Sequence, residues 1–293
     1  MSYTSPSFKN NDFEKYLDVD FAALAADCGV LMDNGQMGFG WVPPADTELD
    51  GAPIFEAQED MIPEDQWKDR IAAIDASPHG WLERFIKHIF AQGREPSCVH
   101  NAAGQGMSVI GGKVFGVHNV VIPSPISSYR YCGTRSSGSS VPGALDWMMK
   151  HGQLPADTPE NRKLMAEGKF KCVHPFTGYS IKPSEGFEET AMIFRIREYQ
   201  RLTTVQGWFT ALIKGFPCIG GRDMHCICHV RPAWDDGPFS DYANSWDINW
   251  GFEYQIATGR SRGFGRDSRR KVATMVSRGA WCVRDVYWYP WLS

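Results

Sequence analysis

At 293 residues and 32.9 kDa, the chain has room for one large domain or two small ones. With 43% hydrophobic and 22% charged residues it is neither disordered, fibrous nor coiled-coil. No run approaches the ~20 apolar residues of a membrane span, since the best, residues 21–32, is short and contains Asp27. The net charge of −4 gives no reason to expect a polyanion partner. The N-terminus lacks a basic-then-apolar leader, so a cytosolic location is expected.

Charge is uneven along the chain. Residues 1–60 hold twelve Asp/Glu against Lys9 and Lys15, a net of −10, which leaves +6 for the rest. That asymmetry marks 1–60 as an acidic arm. Within it, Leu17 to Asp27 has the spacing of a short amphipathic helix, and the Gly and Pro residues from Gly35 to Pro53 punctuate rather than propagate structure.

From Ile62 the pattern turns helical. Pro63 to Ile74 places Trp67, Ile71 and Ile74 on one face, and Trp81 to Phe90 repeats the spacing. Pro96 and Ser97 are helix-start residues, so a buried helix is expected from Cys98 to about Ile110. Residues 113–122 read as a buried strand or connector. A Ser/Gly loop, Gly133 to Ser140, leads into a helix begun by Pro142 and stopped by Gly152. Residues 153–186 read as loop. Strands are expected from Met192 to Arg197, at Pro217–Ile219, from His225 to Val230, from Tyr254 to Ala257 and from Trp281 to Val286, with a helix from Val205 to Lys214. Helices first and strands second give an α+β fold.

The eight cysteines include no C-x-x-C pair. A chain this long does not need disulfides, and reduced thiols are expected. His225 and His229 share a strand face about 13 Å apart, too far to chelate one metal, and Cys226 and Cys228 fall on the opposite face. No metal or cofactor is expected.

Gln92 lies six residues before Cys98, Cys98 stands at a helix start, His225 opens a strand, and Asn244-Ser245-Trp246 follows, with Trp250-Gly251 beyond. This order and context resemble the papain-like cysteine peptidases (peptidase family C1) over roughly residues 60–290. The resemblance implies a helical half, about 61–190, packed against a β-rich half, about 191–293, with the site in the cleft between. It implies that Cys98 is the nucleophile, His225 its base and acid, and Asn244 the group that orients the imidazole. Gln92 and the backbone N–H of Cys98 would form the oxyanion hole, and Trp246 would shield the Asn–His contact. The expected activity is hydrolysis of peptide or amide bonds through an acyl-enzyme on Cys98, with a peptide or protein substrate. The chemistry suits the residues: a helix N-terminus and a neighbouring imidazolium both favour the thiolate. His100, about 200° around the helix from Cys98, faces away and is no rival base.

The chain departs from the family pattern in four places. Glu95 stands where members often carry a cysteine, which leaves Cys132 unpaired. Val99 replaces an aromatic residue after the nucleophile, and Asp247 replaces a glycine. Only seven residues separate Pro217 from His225, a connection that in the family walls part of the cleft, so substrate preference does not transfer. These departures, with the eleven Trp, keep open a structural or assembly role, for instance in a virion. Residues 1–60 are read as a partner-docking arm or flexible leader in preference to a segment lying over the cleft. Residues 259–271, with six basic residues and one Asp, read as a flexible basic loop on a solvated surface, with nucleic-acid contact the less favoured reading.

Overall fold

A computed structural model describes residues 40–288 apart from 78–79, 94, 118–119, 133–137, 179, 183–185 and 247–262. The expected helix at 17–27 and strand at 254–257 lie outside the described residues. Nine α-helices are described: α1 (Asp46–Asp50), α2 (Trp67–Asp75), α3 (Cys98–Phe115), α4 (Pro125–Cys132), α5 (Val141–His151), α6 (Pro159–Ala166), α7 (Phe187–Ile193), α8 (Val205–Ile213) and α9 (Arg269–Ser277). Six strands, β1 (Phe194–Leu202), β2 (Cys218–Arg222), β3 (His225–Trp234), β4 (Pro238–Ala243), β5 (Phe264–Ser268) and β6 (Ala280–Trp288), form one antiparallel sheet in the order β1-β6-β2-β3-β4-β5. The α+β reading holds, with helices dominating the first half and strands the second. Among the described residues no helix is long and apolar enough to cross a membrane.

Both faces of the sheet are covered. Alternation along β3 sends Cys226, Cys228 and Val230 into one core, against α3, and Ile227 into the other, with Trp208, Phe209 and Trp67. The helix α3 is buried along most of its length, and its small residues let neighbours in: a Cβ on Gly111 would lie 2.1 Å from the Trp288 ring. Glycine in a helix costs about 1 kcal/mol relative to Ala; here the close approach of Trp288 offsets that, so α3 runs five residues beyond the expected end.

Several elements differ from expectation. Trp81 to Phe90 is not a helix: a 3-10 turn at Leu82–Phe85 gives way to extended chain, and Ala91 bridges Trp246. Trp81, Leu82, Phe85 and Phe90 are buried and Ile86 and Ile89 partly so, but tertiary pairing overrides the helical spacing. Within 153–186 the chain forms α6, started by Thr158, whose side chain accepts from Asn161 N, and by Pro159. Residues 264–271 are not a loop but β5 and the start of α9. Arg266 lies opposite Asp241 in the β4–β5 register and pairs with it, Arg269 pairs with Glu64 at 2.7 Å, and Lys271 with Asp223 at 3.3 Å. Among the described residues of the run, carboxylates therefore pair with Arg266, Arg269 and Lys271.

Residues 40–60, the described part of the acidic span, pack on the body of the molecule. Phe55 is fully buried in the core shared with Trp208, and Trp41 is also buried.

Candidate active site

Cys98 is the first residue of α3. Ser97 precedes it, and Asn101 fastens this turn by donating Nδ2 to the Ser97 carbonyl at 2.9 Å. His225 is the first residue of β3, delivered by a two-residue hairpin: Arg222 pairs with His225, and the connecting Asp223 and Met224 have φ of 50° and 62°. Both central residues of such a turn need positive φ. The short Pro217–His225 connection is therefore a complete hairpin that leaves no wall beyond it. Asn244 directly follows β4, and its N–H donates to the Gly263 carbonyl at 2.9 Å.

The structure brings the expected residues together. His225 Nε2 and Asn244 Oδ1 are 2.8 Å apart. A neutral imidazole bonded to an amide oxygen carries its proton on that nitrogen, which makes Nδ1 the basic one. The Trp246 ring lies 4.6 Å from the His225 ring, centroid to centroid, and is buried. Cys98 shares its core with Cys226, the residue that follows His225. Gln92 donates Nε2 to the Glu95 carbonyl at 3.0 Å and joins Ser245 through its side chain and its backbone.

Two features escaped the sequence reading, and a third was its less favoured alternative. The first is Ser245, which links Gln92 to Asn244. The second is Glu95, read as a vacant cysteine position, whose Oε1 accepts from Gly178 N at 2.8 Å. Cys132 is a free thiol, 3.5 Å from His100 Nε2, while His100 Nδ1 meets Ser128 Oγ at 2.8 Å, so His100 does face away from Cys98. The third is a cover. The Gly40 carbonyl accepts from Ser139 N at 2.8 Å, Trp41 N donates to the carbonyl of Met224, the residue before His225, at 3.3 Å, and Val42 N to the Ser139 carbonyl at 3.0 Å. The end of the acidic span thus lies over the cleft rather than away from it.

Burial sets the electrostatics. Cys98 and His225 are both fully buried. Burial pushes the Cys98 thiol up to about 11, against the backbone amides that favour its charge. Burial takes His225 down to about 4, against the pull of its bond to Asn244. In this closed form the pair is thiol and neutral imidazole.

His229 takes no part: its Nδ1 meets Ser240 Oγ at 2.8 Å behind the sheet. Cys226 and Cys228 lie in the opposite core, as their alternation implied.

No protein-family model and no curated protein sequence matches the chain. Solved structures do. Xylellain, a cysteine protease from Xylella fastidiosa, has 18% identity and a TM-score of 0.54, over 84% of this chain and 96% of that one. Procathepsin L2 from the larval midgut of Tenebrio molitor has 13% identity and a TM-score of 0.53, over 83% and 76%. Procathepsin B S9 from Trypanosoma congolense has 12% identity and a TM-score of 0.51, over 94% and 97%. The chain has the fold of the papain-like cysteine proteases.

Proposed function

We propose that the protein is a cysteine peptidase that cleaves peptide or amide bonds through an acyl-enzyme on Cys98. The observation that carries this reading is the His225 ring at the head of β3, held by Asn244 at 2.8 Å, with Cys98 at the start of the α3 helix that shares a core with the next strand residue, Cys226. Once the cover leaves, water reaches both groups and the burial that favours their neutral forms is relieved. His225 then takes the thiol proton, and the thiolate attacks the scissile carbonyl carbon. The developing oxyanion is stabilised by the Cys98 N–H and the Gln92 side-chain amide. Protonated His225 gives its proton to the leaving amine, and water attacks the thioester to release the acid. Asn244 holds the ring through both steps, and Trp246 keeps water from that bond.

The substrate class is peptide or protein. Residues 40–42 act on the cleft, while Phe55 ties the rest of the described span before residue 60 to the body. The free thiols of the described cysteines support a reducing compartment.

The test is limiting iodoacetamide on the chain carrying Trp41→Ala, which loosens the cover, with the modified residue mapped by mass spectrometry. Labelling is expected first at Cys98, and at least about 10-fold slower after His225→Ala, since only the thiolate reacts. Labelling scattered among the cysteines, or indifferent to His225→Ala, would remove the catalytic reading.

A further inference from the structure

The passage beside the start of α3 is walled by backbone on both sides. A Cβ on Gly40 would lie 1.7 Å from the Pro96 carbonyl oxygen and 2.2 Å from its carbon. From the other side, Gly138, at φ 82°, approaches so closely that its own Cβ would lie 1.9 Å from the Gly40 oxygen. A main chain, unlike a flexible side chain, does not step aside for a methyl group. Pro96 is further fixed by its place two residues before Cys98, where the Ser97 N–H bonds the Glu95 carbonyl at 2.8 Å.

The segment in this passage is held as an extended peptide is held, by the Ser139 N–H and carbonyl and the Met224 carbonyl. None of these contacts reads a side chain. Selection comes from the gap itself and from a flat floor beside it, where the Trp41 ring lies so near β2 that a Cβ on Gly221 would be 2.0 Å from it. The resident segment is also turned the wrong way for cleavage. Its carbonyl is engaged by the Ser139 N–H at 2.8 Å. It occupies the passage without presenting a carbonyl carbon.

We propose that the cleft selects glycine at the residue that crosses Cys98, so that its substrates are extended peptides with a glycine at the scissile position. This rests on the peptidase reading above. The width of the gap does not depend on the direction in which a chain enters. A substrate must turn its carbonyl toward the sulfur, yet it passes the same two backbone walls. The indole Nε1 of Trp41 is buried without a hydrogen-bond partner among the described residues, a cost to the resident segment that an incoming peptide does not share.

The test uses the full chain carrying Trp41→Ala, with Gly40→Ala as a second way of displacing the segment. Cys98 alkylation by iodoacetamide is expected to rise at least about 10-fold in each variant, in keeping with loss of a well-packed anchor. A rate equal to that of the unaltered chain in both would show that the segment does not close the passage, and would overturn the proposal. Two synthetic peptides, Gly-Phe-Gly-Trp-Val-Pro and Gly-Phe-Ala-Trp-Val-Pro, are then compared for protection of Cys98 in Trp41→Ala. The glycine peptide is expected to protect at a concentration at least about 10-fold lower, and equal protection would overturn the proposal. Cleavage sites in a denatured protein, mapped by mass spectrometry, should cluster at glycine. Protection that favours glycine without any cleavage would retire the peptidase reading and leave the selection standing.

Discussion

Gln92 and Ser245 are joined twice: the Gln92 backbone N–H donates to the Ser245 carbonyl at 2.9 Å, and the Ser245 hydroxyl donates to Gln92 Oε1. The second bond settles which way the amide points. Nε2 must face the Glu95 carbonyl, because a carbonyl accepts and cannot donate. The Ser245 N–H also bonds Asn244 Oδ1 at 2.8 Å. One residue therefore steadies both the oxyanion donor and the group that holds His225. Ser245→Ala should lower kcat about 10-fold with KM nearly unchanged, a fraction of the ~10²–10³ lost when an oxyanion donor is removed outright. Ser245→Thr, which keeps the hydroxyl, should recover most of the rate. A loss confined to KM would remove Ser245 from this role.

Asn244 carries a sharper expectation. Without its oxygen, nothing fixes which nitrogen of His225 bears the proton. Asn244→Ala should lower turnover roughly 10- to 100-fold, the range seen when a group that orients another is lost. The thermal midpoint should also fall by several degrees, because Asn244 is buried and the His225 Nε2–H and the Ser245 N–H both lose their acceptor. Steady-state kinetics and a melting curve on the same sample check both, and unchanged turnover would remove Asn244 from the mechanism.

Much of this site was legible in the sequence because its signals are local. Pro96 and Ser97 announce a helix start, and the spacing of Cys98, His225 and Asn244 survives folding unchanged. The strand alternation that separates His225 from Cys226 is likewise a property of neighbours. What was hidden depends on partners far along the chain. Arg266 looks like a loop residue until Asp241 stands opposite it in the register. Trp81 to Phe90 has the spacing of a helix, but the bridge from Ala91 to Trp246 draws the chain out. Gly40 gives no sign that it is squeezed between Pro96 and Gly138, because three segments far apart in sequence make that contact.

The buried histidines make stability depend on acid. Burial lowers His225 and His174 to about 4 and His100 to about 3, and takes His229 well below its usual value. Each is neutral in the folded chain, while the unfolded chain takes up protons below about 6.5. The unfolded state therefore binds more protons, and stability is full above pH 6.5 and lost as pH falls toward 4. His225 alone accounts for about 2 kcal/mol by pH 5. Urea denaturation at pH 7 and pH 5 should show a clear fall in midpoint, and His225→Gln should make that fall shallower. A midpoint that stays flat between the two would show that these rings are hydrated.

Behind His225 lies an ion pair wholly out of water. Arg222 donates Nη2 and Nε to the two oxygens of Asp267 at 2.6 and 3.0 Å, and both side chains are fully buried. Arg222 also pairs with Asp223 at 2.6 Å, in the hairpin turn that delivers His225. Removing one partner of such a pair leaves a buried charge with too little compensation, which typically costs about 3–5 kcal/mol. Asp267→Ala should fall in that range by chemical denaturation. Arg222→Met combined with Asp267→Leu removes both charges at similar volume, and should recover most of the loss, since apolar replacement of a buried pair is often neutral. Because Arg222 lies opposite His225 in the β2–β3 register, the two designs separate stability from site geometry. The double variant should fold and still alkylate at Cys98 once Trp41→Ala is added. If it folds but Cys98 has lost its preference over the other thiols, Arg222 positions His225 as well as stabilising the sheet.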